Sequence, residues 1–511
     1  MAMSSHQVDP AFTAMDYRRL ADAALSRARD FKVSHADFRF ERIRHQDISV
    51  RDGRLQSASD AEDIGFAVRV ISDGAWGFAS GVVLSPEAAV QTAETAIRTA
   101  QVAAAMTTRP VQLADEPVYA DATWVSSYEV DPLTVPLAEK VDLMTERSAR
   151  LLAASGVAHS TGTCRQVVEN KFYTDLAGTS TTQQRVRLLP QFEVHGTDEE
   201  SGLFDSMRTV APPVGRGWEY LTDGHDWDGE LIELPELLGA KLKAPSVEAG
   251  GYDLVVDPSN LWLTIHESIG HATELDRALG YEANYAGTSF ATYDQLGTLR
   301  YGSPVMNITG DRTTEHGLAT IGYDDEGVET QRWDIVKDGI LVGYQLDRSM
   351  AHMMDGALNG GRSNGCAYAD SPGHIPIQRM ANVSLQPASN DGAGPSTEEL
   401  IGGVDRGIYV VGDRSWSIDM QRYNFQFTGQ RFYKIENGRL AGQLRDVAYQ
   451  ATTTDFWGSM EVVGGPDTWV LGGAFNCGKA QPGQVASVSH GCPAALFRDV
   501  RILNTTAEAT H

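Results

Sequence analysis

The sequence predicts an α+β fold in two domains, an N-terminal domain of helices on an antiparallel sheet and a C-terminal β-rich domain, barrel-like or sandwich-like. Three observations predict it. The first half alternates helical and strand periodicities, and residues 201–250 are then dense in Gly, Asp and Pro. Beyond Gly250 the chain turns to glycines and short β-type runs interrupted by one helix. On these grounds residues 1–225 form the first domain, 226–250 a linker with a connecting helix, and 251–511 the second domain.

The elements follow in order. Asp16 to Phe31 places Leu20, Ala24, Leu25 and Ala28 on one helical face, and His35 to Val50 alternates as a strand. Ile64 to Phe78 reads as a hairpin turned at Ser72-Asp73-Gly74. Ser85 caps a second helix, with Pro86 in its first position, that runs to about Met106. A third helix spans Pro136 to Ala154 on Val141, Met144, Leu151 and Leu152, and Gln166–Thr174 and Thr181–Val194 complete the sheet. A helix from Glu230 to Leu242 sits in the connection. In the second half Val404–Gly412, Arg431–Glu436 and Trp469–Gly473 read as strands. The strand Tyr252–Val256 feeds directly into a helix from Pro258 to about Leu279, capped by Asp257.

Composition narrows the function. With 42% apolar and 22% charged residues over 511 positions the chain is globular, and its net charge of −26 repels phosphate backbones and anionic lipid. Nucleic acid and membrane surfaces are therefore excluded as partners of a basic face. The start MAMSSHQVDP lacks a basic-then-apolar leader, and no window nears the ~18 apolar residues of a membrane helix. The expectation is a cytoplasmic protein. Four scattered cysteines, Cys164, Cys366, Cys477 and Cys492, make no disulfide framework and read as free thiols or ligands.

The chemistry concentrates in the helix after Asp257, at His266-Glu267-Ser268-Ile269-Gly270-His271. Two imidazoles with a carboxylate beside the first can hold Zn²⁺ and deprotonate its water. Zinc-protease helices usually space the histidines by four, whereas five residues turn them about 140° apart on a regular helix. The spacing therefore predicts a wide π-type turn, which Gly270 would ease. The competing reading is two buried histidines satisfied by ordinary hydrogen bonds.

A catalytic zinc needs a third protein ligand and an open position. Cys477, in Gly472-Gly473-Ala474-Phe475-Asn476-Cys477-Gly478-Lys479, stands between glycines that admit close approach, and Lys479 could keep its sulfur ionised. A structural thiol in a glycine loop fits the same residues. Glu274, His490 and Cys492 compete as ligands, while Cys164 and Cys366 read as core or loop thiols. Gly473 to Ala480 mimics a phosphate loop but offers Ala480 where a hydroxyl must meet Mg²⁺ and Pro482 where a helix should start, so that reading fails. Asp324-Asp325-Glu326-Gly327 reads as a polar turn before a cation site, and Gly356 to Gly365 as a loop.

These residues resemble the TldD/PmbA metallopeptidases, and within them the TldD-like, metal-bearing subunit. His266-Glu267-x-x-x-His271, the acidic turn at Asp324-Asp325-Glu326-Gly327, Gln378-Arg379-Met380-Ala381-Asn382 and Cys477-Gly478-Lys479 are similar to its signatures in order. Val68-Arg69-Val70 with Asp73-Gly74-Ala75-Trp76-Gly77-Phe78 resembles its amino-terminal domain, so the likeness runs from about residue 17 to 500. Ala381 stands where Thr is common, and Pro482 lengthens the spacing to Gly483-Gln484.

The resemblance implies zinc held by His266, His271 and Cys477, Glu267 polarising the bound water, and a dimer enclosing the site. It implies a metal-free PmbA/TldE-like partner or a second copy of the chain, and a zinc metalloprotease cleaving unfolded or extended peptides. A thiolate ligand predicts a weaker Lewis acid and slow turnover. The alternatives are a non-catalytic peptide-binding or partner subunit, and a zinc hydrolase of a non-peptide amide.

Overall fold

The computed structural model of the chain describes residues 7–354, 356–389 and 393–508. Its first half is a seven-stranded sheet built on four long strands, in the order 75–81, 54–72, 35–51, 159–175, 180–197 and 122–125, with 204–208 added beside 180–197. All pairings are antiparallel except that of Ala122–Val125 with Ser180–Thr197.

Strand alternation gives this sheet two different faces. Ala36, Phe38 and Phe40 point to the helices Tyr17–Asp30 and Pro86–Ala104, packing with Leu20, Ala24, Ala93 and Ile97. Further along, Ile48 and Val50 meet Met144 and Leu151 of the helix Leu137–Leu152 and Leu234 of Trp227–Leu242. The intervening residues Asp37, Arg39 and Glu41 point the other way and are also buried. That face is covered by the second half of the chain: Arg39 donates to the carbonyls of Ser371 and His374.

The acidic turn Asp324–Gly327 is one tie across this contact. Asp324 accepts the backbone N–H groups of Glu326, Val328 and Ala367. Asp325 accepts Lys171 Nζ at 2.8 Å, and Glu326 accepts Arg69 Nη1 at 2.9 Å. Gly327 takes φ +73°, and a Cβ there would lie 2.5 Å from the Tyr173 ring, so turn geometry and close approach both require glycine.

The second half closes a five-stranded barrel from Gly250–Val256, Ala495–Asn504, Val447–Thr452, Asn424–Glu436 and Arg406–Ile418, the last returning to pair with the first in parallel. The helix Pro258–Ile265 leaves the first barrel strand and packs Leu261 and Ile265 into a core with Val410, Phe425, Phe427 and Tyr449. Asn260 pins it by donating to the carbonyls of Gly412 and Thr428. A separate two-stranded hairpin, Val470–Ala480 with Gly483–Cys492, lies beside this helix. No helix among the described residues is long and apolar enough to cross a membrane.

Candidate metal centre

The Asp257 carboxylate accepts the Ser259 N–H at 3.0 Å, and Pro258 occupies the first helical position. The helix expected to run to Leu279 is regular only to Ile265. Residues His266–Gly270 form one π turn, His271–Thr273 a 3₁₀ turn, and Glu274 swings to extended backbone, where it bridges to Gln345. The wide turn brings the two imidazoles together, with ring centroids 4.7 Å apart. Gly270 keeps ordinary helical angles, so conformational ease is not its reason. A Cβ there would lie 2.6 Å from Met380 Sδ; glycine makes room for that side chain.

Cys477 reaches the same place from the hairpin. The register slips between Ala474 and Cys477, a bulge that re-aims the strand, and Cys477 Sγ lies 3.6 Å from His271 Nε2. Donor atoms of His266, His271 and Cys477 all fall within 4.8 Å of one another, and all three residues are buried. Two nitrogens and a sulfur, held together away from water, are the donor types zinc prefers and could hold that ion.

Hydrogen bonds to the far side of each ring determine which nitrogen faces inward. His490 Nδ1 lies 2.8 Å from the Val383 carbonyl oxygen and must donate to it. The other His490 nitrogen is then an acceptor, and His266 Nδ1, 2.7 Å away, donates to it. That leaves the lone pair on His266 Nε2. His271 Nδ1 lies 2.9 Å from Glu274 Oε2 and donates there, leaving Nε2 free toward the sulfur. Burial drives the His266 pKa well below its ordinary value, that of His271 to about 3 and that of His490 to about 4, so all three rings are neutral at pH 7. Burial pushes the Cys477 thiol up to about 11.

The sequence expectations divide on this geometry. Lys479 does not serve the sulfur; its ammonium group binds Asp276, Glu274 and the Gln378 carbonyl. The cation beside Cys477 Sγ is Arg379 Nη2, at 3.3 Å. Glu274 and His490 brace the two imidazoles as outer partners, and His490 has both nitrogens engaged. Cys492 bonds instead to the Pro258 carbonyl, and Cys164 and Cys366 are buried free thiols. The loop that mimicked a phosphate cradle is hairpin strand, and the acidic run is a turn.

Glu267 is buried beside the cluster. Its carboxylate meets the Arg422 guanidinium and lies against Trp416, and burial raises its pKa against the opposing charge of Arg422. Arg422 stands at φ +64° in a turn tied by Asp419, which accepts the N–H groups of Gln421, Tyr423 and Asn424. Neither Arg422 nor Trp416 was legible in sequence. Arg379 and Met380 carried a signal in the Gln378–Asn382 segment, whose members reach Cys477 and Gly270.

Comparison with known proteins adds the following. Residues 249–504 match the family model described as the PmbA/TldA metallopeptidase C-terminal domain, and residues 36–100 that of PmbA/TldA metallopeptidase domain 1. A metalloprotease of Methanocaldococcus jannaschii is 26% identical over 84% of this chain and 89% of its own. A metalloprotease TldD homolog of Haemophilus influenzae is 25% identical over 93% of each chain. A zinc metalloprotease TldD homolog of Saccharolobus solfataricus is 27% identical over 55% of this chain and 58% of its own. The fold is shared with the crystal structure of TldE from Thermococcus kodakarensis, with a TM-score of 0.68 at 17% identity over 94% of this chain and 99% of that one.

Proposed function

The chain belongs to the PmbA/TldD metallopeptidase family, and from that premise we propose that it is a zinc-dependent peptidase that cleaves unfolded or extended peptides. The observation that carries the reading is the convergence of His266, His271 and Cys477 with Glu267 beside them.

His266 Nε2, His271 Nε2 and Cys477 Sγ would hold the ion. Zn²⁺ bound there supplies Lewis acidity, lowering the pKa of a water toward ~7 and polarising a carbonyl. Glu267 then accepts the proton of the attacking water on its carboxylate and returns it to the departing amine. Its raised pKa suits a group that must both take and give a proton. Arg422 and Trp416 hold the carboxylate in place. We place the substrate, as an extended peptide, along the strand Val470–Ala480, which pairs only with Gly483–Cys492 among the described residues and leads to Cys477. Main-chain pairing along that strand tolerates many sequences and rejects folded proteins. A second copy or a PmbA/TldE-like homologue would complete the enclosure.

The test is elemental analysis of wild type, Cys477→Ala and Glu267→Ala purified without chelators, with cleavage of unfolded peptides assayed alongside. The expected pattern is one zinc per wild-type chain, its loss in Cys477→Ala, and its retention in Glu267→Ala with cleavage reduced ~10²–10⁴-fold. Full activity in Glu267→Ala would remove that residue from the mechanism.

A further inference from the structure

A cavity of about 250 Å³ lies on the seam between the N-terminal sheet and the barrel. Leu189, Pro213, Trp262, Trp416, Gly472 and Phe475 are among its walls. Three of these are attached to three different residues of the candidate metal centre. Trp262 sits one helical turn before His266, with the two rings 6.3 Å apart. Trp416 lies against the Glu267 carboxylate. Phe475 is two residues before Cys477 on the strand Val470–Ala480. The cavity thus adjoins the reacting groups through a helix, a side-chain contact and a strand, while His266, Glu267, His271 and Cys477 themselves stand behind its walls.

Its lining is more apolar than polar, with Gln191, Arg208, Asp413 and Arg414 among the polar walls. A Cβ on Gly472 would lie 2.5 Å from the Trp262 ring, so glycine lets the indole lie flat against the hairpin and form a smooth floor. The charged residues of the wall are already paired, Arg208 with Asp413 of the same wall at 2.6 Å and Arg414 with Asp205 at 2.7 Å. A charged side chain entering here would lose water and find no free counter-ion, whereas an aromatic or large aliphatic one would bury its surface.

We propose that this cavity is a specificity subsite that receives an aromatic or large aliphatic substrate side chain next to the scissile bond. The subsite rests on the peptidase reading above, and it adds a preference to an otherwise sequence-tolerant strand. Leu189 and Val210, both lining the cavity and only partly buried, are the positions from which that preference can be rewritten without touching the metal centre.

The experiment uses peptides identical except for one residue, Phe, Asp or Lys, assayed on the full-length protein for cleavage, and for equilibrium binding with Glu267→Gln. Wild type is expected to favour Phe over Asp on the order of 100-fold in kcat/KM, and Leu189→Lys or Val210→Lys to move that ratio at least ~10-fold toward Asp. Two variants guard against a fold defect in either. Cleavage with no preference, or a preference that neither lysine moves, overturns the subsite while leaving the peptidase reading intact. Binding that discriminates and is shifted by the lysines, without cleavage, sinks the peptidase reading and keeps the subsite. Failure of both cleavage and discriminating binding overturns both.

Discussion

The acidic turn Asp324–Gly327 and the cluster around His266 are both dense with buried polar groups, yet the structure gives them opposite characters. In the turn every carboxylate is satisfied, Asp324 by three backbone N–H groups, Asp325 by Lys171 and Glu326 by Arg69. In the cluster the outer nitrogens are satisfied by His490 and Glu274 while two inner nitrogens and a sulfur face one another. Density of charge therefore does not mark a site. What separates a brace from a binding centre is convergent donor capacity left over after every neighbour has been counted.

The comparison can be broken most forcefully at the brace. Lys171→Met removes the nearer of the two cations at the buried Asp325, leaving Arg39 at 3.7 Å, and should lower unfolding free energy by about 3 kcal/mol, read in urea titrations. Zinc per folded chain should stay unchanged; its loss would mean that brace and centre are one unit.

The next effect falls on the centre. His490→Leu removes the acceptor for His266 Nδ1 and frees the ring to present the wrong nitrogen. Zinc affinity, measured by competition with a chromogenic chelator, should weaken ~10–100-fold. His490→Gln, whose amide can accept from His266 and donate to Val383, should recover most of it. Equal loss in both variants would reduce His490 to packing.

The effect that is smallest per step is graded with pH. The imidazoles are neutral down to low pH, His271 with a pKa of about 3, while the thiol at about 11 is protonated near neutrality. Metal binding must then displace one proton, from Cys477, and the proton competes with the metal. The zinc Kd should rise about tenfold for each unit that pH falls between 8 and 6. A flat profile would exclude Cys477 as a ligand.

How much of this was legible in sequence depends on distance along the chain. His266, Glu267 and His271 are adjacent, and their five-residue spacing announced the π turn. The helices of the first half showed their period and caps. The strand Arg54–Ser72 was visible only from Ile64, because its first ten residues are exposed on both faces and so carry no alternation. Barrel closure pairs Gly407 with Asp253, and Arg422 meets Glu267 across 155 residues, and no local pattern encodes either. Lys479 misled because it shares a strand face with Cys477, yet its charge is absorbed by Asp276 and Glu274.

The hairpin that carries Cys477 has one further consequence. Its sulfur and His271 are 206 residues apart in sequence, so an ion joining them is a reversible cross-link around most of the barrel. Closing a loop of that length restricts the unfolded chain by about 5 kcal/mol when the link is permanent, as in a disulfide. A chelator would thus do more than empty a site. It would open that ring, and the hairpin would then be tethered to the helix and its π turn by packing and by the bonds of His490 and Lys479.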